Sequence, residues 1–206
     1  MAEKSRGGVN RREALGAATG AAAIGLATPS AVLAQAAPSV QSAGAPPAPP
    51  TSSAVAARAV NEVRDPILRI SRETWALAEL SLAEVKSAEV HVRELEAQGF
   101  RIVSRGTAGV PTAFMAEWKQ GNGGPVIGYL PEYDALPGLG NAAEPRETPG
   151  PTGKASGHGC GHNTIGAGCT GAAFALKKMM EAQRTPGTIR VYGCAAEETE
   201  GAKVYI

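Results

Sequence analysis

From Val55 to Leu80 the apolar residues Val60, Val63, Ile67, Leu68, Ile70, Trp75, Leu77 and Leu80 recur at intervals of three and four, which lines one face of a helix. Pro66 falls inside that run and, lacking an amide hydrogen, predicts a kink or restart. A second helix is predicted over 87–98, with Val90, Leu95 and Ala97 turned inward and Gly99 as its stop. The period then shortens. Residues 100–103, 112–119 and 126–130 are short β-rich runs, parted by Gly- and Pro-containing turns at 106–111 and 121–125. A helix over 163–183 is predicted next, with Asn163 as its N-cap and Gly166, Gly168 and Gly171 letting it lie close to a sheet. Lys177 and Lys178 sit late in that helix, where cations favour its dipole. Residues 188–194 alternate as a last strand. Helices first, then strands interleaved with a helix, predict an α/β domain: a mixed β-sheet flanked by helices.

Between the third strand and the long helix lies an irregular passage, 131–162, and a passage of that length inside a domain is unusual unless it builds a site. It holds Asp134, His158, Cys160 and His162, the last three within the glycine-rich stretch SGHGCGHN. The turn after the last strand holds Glu197 and Glu198. Both loops are expected just outside the carboxyl ends of strands, where open α/β sheets keep their sites. Adjacent carboxylates repel and are costly to desolvate unless a cation is near. Thiolate, imidazole and carboxylate together suit zinc, and manganese as oxygen and nitrogen ligands come to dominate. Each signal also has a plainer reading. The Cys160-Gly-His162 unit fits a turn with incidental side chains, and an acid pair at a helix start is stabilised by the helix dipole. Asp134 fits a turn residue bonded to its own backbone. His91, inside a helix, reads as structural or solvent-facing, and Cys169 and Cys194 as small buried apolar residues.

Composition narrows the classes. Residues 1–36, with Arg11-Arg12 before an uncharged Ala/Gly-rich run and an A-x-A ending, predict a twin-arginine signal peptide and a periplasmic or secreted protein with no stable membrane span after cleavage. Residues 37–54 carry no charge and are rich in Pro, Ala and Ser, which predicts a disordered linker. Residues 55–206 make one domain. Without the first 36 residues the chain has 16 basic and 17 acidic side chains, so there is no electrostatic reason to expect nucleic acid as a partner. Three cysteines are too few for a disulfide framework.

In order along the chain, PEYDALPGLG, SGHGCGHN and GTIRVYGCAAEETEGAKVY resemble the aminoacylase-like metallopeptidases and amidohydrolases, in particular the p-aminobenzoyl-glutamate hydrolase branch. ISRETWALAELSLAEVKSAE and AGVPTAF extend that resemblance from about Arg58 to the last residue. The resemblance implies a zinc-peptidase-like catalytic domain with two divalent ions, Zn or Mn. It implies Cys160, His162 and Glu198 as metal ligands and Glu197 as the general base, with Asp134 and His158 as supporting residues beside them. The implied reaction is hydrolysis of the amide bond of a small N-acyl amino acid or aroyl-glutamate, in a homodimer or heterodimer. Family members continue past the acid pair with further histidine ligands, so the chain is expected to be the N-terminal part of such a domain, incomplete and inactive on its own. A non-enzymatic fragment or interaction module keeping part of the metal site is the competing expectation, and an exported thiol protein using Cys160 a third.

Overall fold

A computed structural model describes residues 52–150 and 154–206; the expected signal peptide and the linker up to residue 51 lie outside them. The first helical run divides into α1, Ser52–Glu62, and α2, Arg64–Leu77, so residues 52–54, expected as linker, are helical. The break falls at Val63, ahead of Pro66. Pro66 thereby sits in the first turn of α2, where its missing N–H would have had no partner in any case. Helix α3, Val85–Ala97, buries Val90, His91, Val92 and Leu95, whereas Ala97, expected inward, is exposed on the last turn.

Four strands follow: β1, Arg101–Arg105; β2, Phe114–Gln120; β3, Val126–Tyr129; and β4, Gly187–Gly193. Their spatial order is β1-β2-β4-β3; β2 runs antiparallel to β1 and β4, and β3 parallel to β4. The sheet is therefore mixed, and its parallel pair requires a long crossover, which α4, His162–Gln183, supplies. Alternation puts Ala116 opposite Val191 and Trp118 opposite Ile189 on one face, with Ala116, Val191 and Ile189 fully buried. On the other face Glu117 pairs with Arg190 at 2.8 Å and with Arg101 at 3.3 Å. Phe114, Phe174, Ile70, Leu95 and Tyr133 fill the core between helices and sheet. None of the helices among the described residues is long and apolar enough to cross a membrane.

Two corrections concern α4. The helix begins at His162 rather than Asn163, because Gly161 takes the left-handed conformation (φ +86°) and starts the first turn one residue early. Asn163 is no N-cap; its amide reaches across to the Ser71 carbonyl at 3.4 Å. The three glycines also differ in role. A Cβ on Gly166 would stand 2.1 Å from the Glu132 carbonyl oxygen, and one on Gly171 would stand 2.3 Å from Ile67 of α2, while Gly168 faces open space. The close approach is thus to the chain leaving β3 and to α2. Gly166→Ala is expected to cost about 1–3 kcal/mol, since neither backbone can yield cheaply. A urea-denaturation midpoint equal to that of the wild type would contradict this.

His91 turns out to be wholly buried, beside the Tyr133 ring at 5.3 Å, and shares a 2.9 Å hydrogen bond with Thr170 through Nδ1. Its structural reading holds and the solvent-facing one does not. Burial lowers its pKa to about 3. The unfolded chain takes a proton near the ordinary value of about 6.5, whereas the folded chain does so only near 3. Stability is accordingly unaffected above 6.5 and falls as pH drops from there, by up to about 1.4 kcal/mol per pH unit. Comparing urea midpoints at pH 7 and pH 5, His91→Leu should show a shallower loss than the wild type. Equal losses would refute this assignment.

Candidate metal centre

The chain leaves the parallel neighbours β3 and β4 on the same edge, and a parallel bridge between Glu132 and Cys194 keeps the two exits together. From β4 the chain turns through Ala195 and Ala196 to Glu197 and Glu198. From β3 it passes Glu132, Tyr133 and Asp134, then makes a long excursion closed by mutual hydrogen bonds of 3.0 Å between Leu136 and Gly157. Gly157 is required at that closure, because a Cβ there would stand 2.1 Å from the Leu139 carbonyl oxygen. The excursion returns through Cys160 and hands His162 to the first turn of α4.

His162 lies at the centre, with 1% of its surface exposed. Its Nδ1 lies 3.0 Å from both the Asp134 carboxylate and the Asp134 backbone carbonyl, so Nδ1 carries the hydrogen and donates it. That fixes the ring and turns Nε2 toward three carboxylates: Glu132 at 3.3 Å, Glu197 at 3.6 Å and Glu198 at 3.8 Å. The hydrogen bond to Asp134 raises the His162 pKa above its ordinary value, burial opposes this, and Asp134, Glu132 and Glu198 add to the rise through their charge. The pocket thus favours a positive charge at Nε2, whether proton or metal.

Asp134 is no simple turn residue. It accepts hydrogen bonds from Ser81 Oγ at 2.8 Å and from the Glu198 amide at 3.0 Å as well as from His162. Burial alone would push its carboxyl up, but the bonds from His162, the Glu198 amide and Ser81 outweigh that and hold it at about 2. One carboxylate therefore ties together the imidazole, the acid-pair turn and the segment after α2.

Two sets of donor atoms lie within 4.8 Å of one another: Cys160, His162 and Glu198 in one, Glu132, His162 and Glu197 in the other. The structure brings together Cys160, His162, Glu197 and Glu198, all named from the sequence, with Asp134 directly behind His162. His158 belongs to neither set. Its Nε2 lies 2.9 Å from the Thr74 carbonyl, which only accepts, so the ring's hydrogen is on Nε2; Nδ1 is buried with no hydrogen-bond partner among the described residues. Burial depresses its pKa. His158 thus anchors the loop to α2. Cys160 is exposed, and desolvation followed by the charges of Glu198, Glu197 and Glu132 raises its thiol pKa. An activated nucleophilic thiol needs the opposite shift. Cys194 is wholly buried, just past the end of β4, while Cys169 is only partly buried.

The donor chemistry fits a borderline divalent ion: one thiolate, one imidazole with its second nitrogen held by a carboxylate, and several carboxylates. Glu198 Oε1 is buried with no hydrogen-bond partner among the described residues, and a cation would satisfy it. Sequence reasoning missed Glu132, Ser81 and Lys203. Alternation along the extended Glu132-Tyr133-Asp134 carried the signal for Glu132, since it sends both acids to the site while Tyr133 enters the core and donates to the Thr112 carbonyl at 2.8 Å. Lys203 pairs with Glu132 and lies 3.8 Å from Glu197; nothing local in the sequence marks it.

Comparison with known proteins agrees with this geometry. Residues 132–206 match Peptidase family M20/M25/M40. The chain is 38% identical to one of the subunits of the p-aminobenzoyl-glutamate hydrolase of Escherichia coli (strain K12), over 72% of this chain and 30% of that protein. It is 31% identical to the Xaa-Arg dipeptidase of Mus musculus, over 76% of this chain and 36% of the other. This chain therefore spans about a third of the length of the curated relatives it matches. Among solved structures, a protein described as an aminohydrolase from methicillin-resistant Staphylococcus aureus shares the fold, with a TM-score of 0.57 and 20% identity over 71% of this chain and 36% of its own. The segment that carries Glu132, Asp134, Cys160, His162 and the acid pair belongs to Peptidase family M20/M25/M40.

Proposed function

We propose that this chain contributes part of the metal site of an amidohydrolase that cleaves the amide bond of a small N-acyl amino acid or aroyl-glutamate. The observation that carries the reading is His162, its Nδ1 held by Asp134 and its Nε2 facing Glu132, Glu197 and Glu198. Cys160, His162 and Glu198 would hold metal, with two divalent ions, Zn or Mn, in the working site. Bound divalent ions acidify water and polarise a carbonyl oxygen. Glu197 is the proton carrier in this scheme. It is 32% exposed, so it reaches solvent while its Oε2 stays within the cluster. It takes the proton from the attacking water and later returns it to the departing amine. Asp134 keeps the His162 hydrogen on Nδ1 throughout. The names of the relatives, a p-aminobenzoyl-glutamate hydrolase and an Xaa-Arg dipeptidase, support a small substrate built on an amino acid. Export by the twin-arginine route, supported by Arg11-Arg12 and the uncharged run after them, and a homodimer or heterodimer as the working form complete the proposal.

The test is release of free p-aminobenzoate from p-aminobenzoyl-glutamate, and of amino acid from N-acetyl amino acids, by the amidohydrolase to which this chain contributes, loaded with zinc or manganese. Release that a chelator stops and added metal restores is expected. Tight metal binding without release from any of these amides would favour a non-enzymatic module.

A further inference from the structure

The acid pair is carried by a turn that is costly to form. Ala196 has φ +50°, a conformation disfavoured for any residue with a Cβ, and it is fully buried. Its carbonyl accepts from the amides of Glu200 at 3.0 Å and Gly201 at 2.9 Å, so the left-handed residue closes the turn that displays Glu197 and Glu198. Its own amide points the other way, into the core, and donates to Glu84 Oε1 at 2.6 Å.

Glu84 is itself fully buried, at the residue preceding α3, and sits 112 positions earlier in the sequence. Its other oxygen, Oε2, has no hydrogen-bond partner among the described residues. A buried carboxyl left half satisfied is expensive, and no ion pair to it is present among those residues. Its contacts are with the Ala196 amide, its own backbone amide and the Thr112 side chain, and of these the Ala196 amide is the one that belongs to the acid-pair turn. The bond fixes the 195–196 peptide plane, and from that plane the left-handed Ala196 turns the chain back to present Glu197 and Glu198.

We propose that Glu84 is a positioning residue for the metal centre: by holding the Ala196 amide it fixes the peptide plane from which the turn aims Glu197 and Glu198 at His162. This rests on the metal-binding reading of the acid pair, but makes a separate claim about what holds the pair in place. Asp134 secures the turn from its far side through the Glu198 amide, and Glu84 secures it from the core side.

The test combines hydrogen exchange of the peptide covering residues 195–200 with zinc affinity by chelator competition, in the full chain. Four forms are compared: wild type, Glu84→Gln, Glu84→Leu, and Glu84→Leu with Ala196→Gly. Glutamine keeps a carbonyl acceptor for the Ala196 amide, so Glu84→Gln should behave as the wild type. Glu84→Leu should exchange faster in this peptide alone and lose zinc affinity by about 10- to 100-fold, the range typical of residues that support metal ligands. Glycine tolerates φ +50° without strain, so Ala196→Gly should restore most of the affinity lost by Glu84→Leu. A role for Glu84 in core packing alone predicts no such rescue.

Unchanged exchange in Glu84→Leu overturns the proposal. So does faster exchange with zinc affinity unchanged, or a Glu84→Gln protein as weak as Glu84→Leu. Should Glu84→Leu not fold, exchange and zinc binding in Glu84→Gln still decide, because loss of either contradicts the acceptor role. Failure of the wild type to bind zinc would remove the metal-binding reading, and exchange would still show whether Glu84 holds the turn.

Discussion

Glu197→Gln, made in the amidohydrolase to which this chain is proposed to contribute, is expected to lower turnover by about 10²- to 10⁴-fold, the usual contribution of a positioned general base. Zinc affinity should change by no more than about threefold, because in the proposed division Glu197 carries a proton while Cys160, His162 and Glu198 hold the metal. Glutamine matches glutamate in shape but cannot accept a proton at neutral pH. The loss should fall on kcat, with KM little changed, since substrate binding does not require proton transfer. The geometry makes the contrast between the two acids specific. Glu198 is tied down through its amide to Asp134 and has a buried Oε1 with no hydrogen-bond partner among the described residues. Glu197 is the more exposed of the two, and its second oxygen lies 3.8 Å from Lys203. Glu198→Gln should therefore do the reverse, with metal affinity lost first and activity lost as a result. Equal zinc loss in the two variants would contradict the division of labour.

His162→Ala is expected to have the largest effect on metal binding, a loss of at least about a hundredfold and greater than that from any residue behind the ligands. The metal-free protein should also suffer. His162 stands between Asp134 on one side and Glu132, Glu197 and Glu198 on the other. Removing the imidazole leaves the buried Asp134 carboxylate without the hydrogen bond that chiefly opposes its burial. Stripping one partner from a buried ionic pair costs roughly 3–5 kcal/mol. His162→Gln, which can still donate to Asp134, should recover part of that stability without recovering zinc binding. Thermal melts with and without zinc separate the two quantities. A His162→Ala protein as stable as the wild type would show that the imidazole does not hold the site together.

The sequence carried the site more fully than it carried the scaffold around it. Cys160, His162, Glu197 and Glu198 were legible because their residue types are unusual together and their order matches a family pattern. Their convergence follows from a general rule, that neighbouring parallel strands deliver their following loops to the same edge. What supports them was not legible. Ser81 and Glu84 precede α3, far from the site in sequence, and only the packing of that segment against the exits of β3 and β4 brings them to Asp134 and Ala196. Element boundaries failed for local reasons. Gly161 started α4 before Asn163 because a left-handed glycine can open a helix without a capping side chain. The restart expected at Pro66 does occur, with the break at Val63 placing Pro66 in the first turn of α2. His91 falls between two readings in the sequence because helix periodicity alone does not tell a buried imidazole with one hydrogen bond from an exposed one.

The most direct test of the metal centre is the absorption spectrum of the chain titrated with cobalt(II), compared with that of Cys160→Ser. Cobalt occupies zinc sites and gives an intense charge-transfer band when a thiolate is bound to it. A saturable band in the wild type, lost in Cys160→Ser and displaced by zinc, is the predicted result. Saturation with no thiolate band, or no cobalt bound at all, would contradict the assignment of Cys160 and His162 to a shared ion.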